Sequence, residues 1–188
     1  MTPTLLLASQ SPRRRELLGQ LGFPLHIVHI QADETLTDPP SIDRVAETIA
    51  RRKAEAYTAP LADDEVLVTA DTVVVHCGQV LGKPRTREQA LDMLHSLSGD
   101  SHHVYTGVCL RSARRQISFS ECTRVHFRPL DNDDIQYYVD TFRPYDKAGA
   151  YGIQEWIGMV GIDHIEGCYY NVMGLPLTRL YQELKKGI

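Results

Sequence analysis

Three arginines crowd the start of what reads as a helix, in Ser9-Gln10-Ser11-Pro12-Arg13-Arg14-Arg15. Cations sit badly there, because the helix dipole is positive at its N-terminus, and each such charge costs about 0.3–1 kcal/mol. A bound phosphate would relieve the conflict. It would accept the open backbone N–H groups, the Ser9 and Ser11 hydroxyls, and the guanidinium forks of Arg13 and Arg14. The plainer alternative is a solvated basic patch balanced in part by Glu16.

Further along, Asp71 directly follows the apolar run Val66 to Ala70. An acid at the carboxyl end of a buried strand stands where α/β sheets commonly bind ligands, and it can hold Mg²⁺, activate water, or do both. The alternative is a turn cap at Asp71-Thr72. Lys83, in Leu81-Gly82-Lys83-Pro84, supplies a cation just downstream. Asp33-Glu34 adds carboxylate oxygens, with Asp33 better read as a solvated loop residue. Lys53 lies on a helix where most lysines are merely solvated. The segment Tyr145 to Gln154 combines glycines, an Asp146-Lys147 charge pair and the amide of Gln154, which can both donate to and accept from a nucleobase edge. His102 and His103 are adjacent on a strand and point to opposite faces, so they cannot easily share a metal. Trp156 reads as packing, and the acids from Asp131 to Asp134 as a helix start.

The elements that must position these residues follow from local pattern. Thr4 to Ala8 reads as a buried strand. Ser11 caps a helix with Pro12 in its first turn and Leu17, Leu18 and Leu21 on its inner face, ended by Gly22. Leu25 to Ile30 alternates like a strand, and Ser41 opens a helix that runs to about Thr58. Val66 to Ala70 is a central strand. Val73 to Val75 and Val80-Leu81 form a hairpin around Cys77-Gly78-Gln79. Thr86 to Gln89 has capping-box form and starts a helix that fades near Leu97. Residues 102–111 and 116–128 are long strands, Asp131 caps a helix through Val139, residues 142–170 are a glycine-rich stretch, and Pro176 begins a last helix. The order predicts an α/β protein with a mixed, strongly twisted sheet flanked by helices. Neither a G-x-G-x-x-G nor a Walker A sequence occurs, which argues against dinucleotide-binding and P-loop sites.

At 188 residues, the expectation is a single domain spanning 1–188, with 43% hydrophobic and 23% charged residues enough for a real core. A net charge of -4 argues against a general nucleic-acid binder but leaves room for a small anion held by local cations. Four cysteines without a C-x-x-C pair read as free thiols in a reducing compartment. The run Leu5 to Ala8 is too short for a signal core or a membrane span, which predicts a cytoplasmic protein with no membrane partner.

Taken together, Ala8 to Arg14, Ala70-Asp71-Thr72, Gly82-Lys83-Pro84, Tyr105-Thr106-Gly107, Asp146 to Tyr151 and Gly174-Leu175-Pro176 resemble the Maf family of nucleoside triphosphate pyrophosphatases. The resemblance runs from Leu6 to about Leu180. It implies a mixed α/β fold with two lobes around a central cleft, related to the inosine-triphosphatase fold, and a homodimer. It also implies cleavage between the α- and β-phosphates with a divalent cation, Mg²⁺ or Mn²⁺. Asp71 matches the family's proton acceptor, Arg13, Arg14, Lys53 and Lys83 its phosphate-binding cations, and Glu34 an acid near the metal. Arg13, Thr72 and Gln154 match the group acting on dTTP and UTP. The group acting on 7-methyl-GTP typically carries Trp, Gln and Glu at these places. Cys168 stands where a serine is common. The resemblance leaves a second reading: a nucleotide-binding regulator of cell division or septum formation without required turnover. A nucleic-acid binder using Arg13 to Arg15 with Arg51 and Arg52 is disfavoured by the acidic overall charge.

Overall fold

The computed structural model describes residues 2–38 and 40–188. Its described strands form one mixed sheet of seven: β1 (Thr4–Leu7), β2 (Leu25–Ile27), β3 (Glu65–His76), β4 (Gln79–Leu81), β5 (Ser101–Arg111), β6 (Gln116–Phe127) and β7 (Ile162–Glu166). The strand order is β2-β1-β3-β5-β6-β7, with β4 paired to β3. β1 runs parallel to both β2 and β3, whereas β3–β4 and β6–β7 are antiparallel. Helices α1 (Pro12–Gly19), α2 (Ile42–Glu55), α3 (Arg87–Leu97), α4 (Asn132–Phe142), α5 (Trp156–Gly161), α6 (Tyr169–Met173) and α7 (Leu177–Lys186) complete the chain.

The expected mixed α/β architecture is therefore present, with several boundaries moved. β3 does not stop at Ala70 but continues through Asp71 to His76, because the β-branched run Thr72 to Val75 carries the extended backbone onward. Its first residues pair with β1 and its last with β4. The β3–β4 turn is tight: Cys77 and Gly78 both have positive φ, of 47° and 74°, the backbone of a two-residue hairpin turn. α1 ends at Gly19, before Gly22, and β2 is only three residues long. The stretch 142–170 is far from a plain loop: it holds a short 3-10 turn at Ala148–Ala150 and then α5, β7 and the start of α6. Elements of five or six residues broken by glycines give too little periodicity to be seen in sequence.

By packing, the chain divides into two compact units. One comprises residues 1–71, 106–121 and 174–188, and the other residues 72–105 and 122–173. The first holds a small core of Leu6, Ala8, Ala50, Ala54, Leu67 and Cys109. Burial pushes the Cys109 thiol up to about 11, so it behaves as a small apolar side chain. The second holds a larger core in which Leu94, Leu97, Phe127, Ile135, Tyr138 and Ile157 are buried. His102 lies in that second core. Its Nε2 meets the Tyr151 hydroxyl at 2.7 Å, and its ring stacks near Phe127. His103, next to it, is exposed, as alternation on a strand requires.

Burial lowers the His102 pKa from 6.5 to about 3. Between those values the unfolded chain binds a proton that the folded chain refuses, so folding stability falls as the pH drops through this window and is unaffected by His102 above it. Chemical denaturation from pH 7 to pH 4 should show a His102 contribution with a limiting slope of about 1.4 kcal/mol per pH unit. His102→Gln should remove that component, and an unchanged slope in the variant would contradict the assignment.

Candidate functional site

Helix α2 is pressed unusually close to the sheet. A Cβ on Gly107 of β5 would lie 2.2 Å from the Glu47 nitrogen and 2.3 Å from the Ala46 carbonyl carbon. Only glycine allows that approach. On α2 the matching face is Ala46, Ala50 and Ala54, one turn apart and fully buried. The Thr69 hydroxyl, buried in β3, donates to the Ala50 carbonyl at 2.6 Å and fixes the register.

That register carries the charge cluster. Lys53 lies three residues beyond Ala50 on α2, and Asp71 two residues beyond Thr69, on the same face of β3. The Lys53 Nζ stands 2.8 Å from Asp71 Oδ1 and 3.0 Å from Glu34 Oε1. Side chains of Lys53 and Asp71 are only 12% and 15% exposed, so solvent screens their attraction poorly. Glu34 is more open but its loop is anchored. The Thr35 N–H donates to Asp33 Oδ1 at 2.9 Å, and Arg52 Nη1 donates to the Thr35 carbonyl at 2.5 Å. Asp33, read from sequence as a solvated loop residue, is thus the cap that shapes the acidic loop, and the Thr35 hydrogen bond holds its carboxyl below the usual range.

The first turn of α1 is built as expected at its cap. Ser11 Oγ accepts from the Arg14 N–H at 3.4 Å, and Ser9 Oγ accepts from the Ser11 N–H at 3.2 Å. Each hydroxyl retains a hydrogen to donate. Arg14 has a task that sequence did not reveal. Its Nε donates to the Gly174 carbonyl at 2.8 Å and its Nη1 to the Ala70 carbonyl at 2.9 Å. One guanidinium so ties α1 to the residue before Asp71 and to the chain just before α7. The guanidinium head is enclosed although the residue keeps some surface. Its pKa is pushed below the usual arginine value by burial, with Asp71 pulling the other way. Arg13 is half-buried on the same turn.

The remaining predicted residues belong to the second compact unit. Thr72 is half-buried in β3 and Lys83 is exposed after β4. The two glycine-bearing motifs there are joined: the Gly149 N–H donates to the Gly82 carbonyl at 3.1 Å, and Gly149, at φ 68°, presses on Val74. Gln154 is half-buried, and its Oε1 is enclosed with no hydrogen-bond partner among the described residues. A network sequence did not show holds its loop. Lys147, buried, pairs with Asp146 at 2.7 Å and with Glu155 at 3.0 Å. The Tyr138 hydroxyl donates to Glu155 and accepts from the Gly152 N–H. Desolvation raises the Tyr138 pKa, keeping the phenol neutral as a donor. Trp156 packs edge-on against Tyr137 rather than presenting an open ring face. The four cysteines are free thiols. No helix among the described residues is long and apolar enough to cross a membrane.

The donor set fits a hard divalent cation. Asp71 and Glu34 offer carboxylate oxygens gathered on one ammonium, the pairing of one or two carboxylates with substrate phosphates that Mg²⁺ and Mn²⁺ favour.

Comparison with known proteins gives the family and the fold. Residues 4–187 match the family model described as Maf-like protein. A dTTP/UTP pyrophosphatase of Bacteroides fragilis is 50% identical over 183 residues, covering 97% of this chain and 95% of that protein. One of Porphyromonas gingivalis is 47% identical over 186 residues, covering 96% and 92%. One of Christiangramia forsetii is 40% identical over 182 residues, covering 97% and 93%. In fold, the chain is similar to the Staphylococcus aureus Ham1 protein, with a TM-score of 0.54 at 15% identity, covering 98% of this chain and 100% of that one.

The close approach of α2 is open to a direct check. Gly107→Val should destabilise the protein by about 3 kcal/mol in urea unfolding, as overpacking against backbone does. A loss below about 0.5 kcal/mol would show that α2 does not sit as described.

Proposed function

The chain belongs to the Maf family, and from that premise we propose that it is a nucleoside triphosphate pyrophosphatase that hydrolyses dTTP and UTP to the monophosphate and pyrophosphate. The observation that carries the site assignment is the group Asp71–Lys53–Glu34, a carboxylate on the sheet sharing one ammonium with a second carboxylate.

In this reading Asp71 orients a water molecule and accepts its proton as the oxygen attacks phosphorus. The bridging P–O bond of the α–β anhydride breaks as the new P–O bond forms, and its electron pair leaves on the oxygen of the displaced product. Lys53 lies beside Asp71 and moderates the negative charge that gathers as the triphosphate arrives. Arg13, Lys83 and the Ser9 and Ser11 hydroxyls bind phosphate oxygens, and Arg14 adds its charge from a fixed position. Asp71 and Glu34 would hold Mg²⁺ or Mn²⁺, which would supply charge neutralisation for the polyphosphate. We place the reaction in the cytoplasm, where four free thiols persist.

Base choice is assigned to Gln154, with Thr72 and Arg13 carried over from the family resemblance as the other members of the recognition set. A buried carbonyl oxygen without a donor costs about 1–3 kcal/mol. Uracil and thymine present an N3–H that would satisfy Oε1, and a ring carbonyl that would accept from the amide nitrogen. Cytosine reverses the pattern, with a donor at N4 and an acceptor at N3, so it pairs with the amide only if Gln154 turns its Oε1 from the N3 position toward N4.

Pyrophosphate release by the pure protein with Mg²⁺ tests the whole reading. dTTP and UTP should be turned over at least about tenfold more efficiently than CTP. Asp71→Asn should lower kcat on dTTP by about 10²-fold or more. Retention of wild-type dTTP hydrolysis by Asp71→Asn would remove Asp71 from the chemistry.

A further inference from the structure

A second group of donors, which shares no residue with the set above, lies on the antiparallel pair β6–β7. His126 and His164 are direct cross-strand partners, so both imidazoles leave the same face of the sheet. Their rings stack with centroids 3.8 Å apart and planes 15° from parallel. Glu166 is two residues beyond His164 and shares that face. Its Oε1 is 3.0 Å from His126 Nε2 and 3.8 Å from His164 Nε2. One donor atom from each of the three residues lies within 4.8 Å of the others.

We propose that His126, His164 and Glu166 form a binding site for a borderline-soft divalent cation of the Zn²⁺ class, separate from the carboxylate pair at Asp71.

The chemistry of the set selects the ion. Two imidazole nitrogens and one carboxylate suit Zn²⁺, Co²⁺ or Ni²⁺, whereas Mg²⁺ prefers oxygen alone. A tetrahedral zinc with bonds of about 2.0–2.1 Å separates its ligand atoms by about 3.3–3.5 Å. The two Glu166 separations bracket that value and the two imidazole donors lie within 4.8 Å of each other, so rotation of the exposed His164 and Glu166 side chains brings the three atoms onto one ion. The rigid part is already in place, since all three residues are on paired strands rather than on a loop. The strand pair is irregular between His126 and Phe127, and such a bulge re-aims a neighbouring side chain.

An outer partner is present as well. Ser101 Oγ is 2.7 Å from His126 Nδ1. A histidine that ligates through Nε2 carries its proton on Nδ1, and the Ser101 oxygen is positioned to accept it. Arg124 Nη1, 3.8 Å from Glu166 Oε1, is the cation that competes for the carboxylate when no metal is bound. His164 and Glu166 have side chains more than half exposed, so water completes the coordination shell and the metal has a direct entry path.

Calorimetric titration of ZnCl₂ into the full-length, tag-free, chelator-stripped protein tests the site. His164→Ala and Glu166→Gln should each weaken zinc binding at least about tenfold. Both positions are exposed, so the metal-free unfolding temperature should stay near that of the wild type, as should Mg²⁺-supported dTTP turnover. The spectrum with Co²⁺ alone should show d–d bands without thiolate charge transfer. That separates this site from the neighbouring His76, Cys77 and Asp100, where Cys77 Sγ would be a ligand. Zinc binding of wild-type strength in either variant would overturn the proposal, as would no binding by the wild type or binding abolished by Cys77→Ser.

Discussion

The arrangement at the first site depends on how closely helix α2 approaches the sheet. Gly107 offers no Cβ, the alanines at 46, 50 and 54 offer no bulk, and the Thr69 hydroxyl holds the Ala50 carbonyl. Once those three contacts are made, helical and strand periodicity leave little choice for Lys53 and Asp71. Each follows its anchoring residue on the same face, and the 2.8 Å ion pair results. A bulkier residue at Gly107 would move the helix backbone, and Lys53 with it. The Tyr105-Thr106-Gly107 motif therefore shapes the charge cluster although no atom of Gly107 takes part in chemistry.

A second consequence concerns electrostatic balance. Three arginines in the first turn of α1 oppose its dipole, and sequence alone assigns the relief to a bound phosphate. The structure supplies part of it internally. Arg14 gives two of its donors to the Ala70 and Gly174 carbonyls and is attracted by Asp71. Its burial still makes the charge costly, so Arg14 is a cation fixed in place and poorly screened. Such preorganised groups stabilise charge at a transition state without reorganising.

How much of this was legible in the sequence follows from the range of each interaction. The Ser11 cap, the Pro12 helix start and the two-residue hairpin turn are local, and their residues announce them. The identity of Asp71, Lys53, Glu34, Lys83 and Gln154 as candidates came from residue types within short motifs and from family resemblance. Their geometry did not, because Lys53 meets Asp71 only through the docking of α2 on β3. The apolar run Val66 to Ala70 predicts a strand that stops before Asp71. In fact Lys53 takes its carboxylate and the β-branched run beyond it keeps the strand going. The Tyr138–Glu155–Lys147 network is invisible in sequence for a similar reason: its members come from α4, from the residue before α5 and from the residue before the 3-10 turn, which no periodicity joins.

The docking of α2 delivers Lys53 to a sheet carboxylate. The steady-state rate of pyrophosphate release from dTTP by Lys53→Met tests the role of this contact in hydrolysis most directly, with circular dichroism confirming that the variant is folded. kcat should fall about 10²-fold or more, the scale of removing one fixed stabilising group. A folded Lys53→Met protein with wild-type kcat would contradict that role.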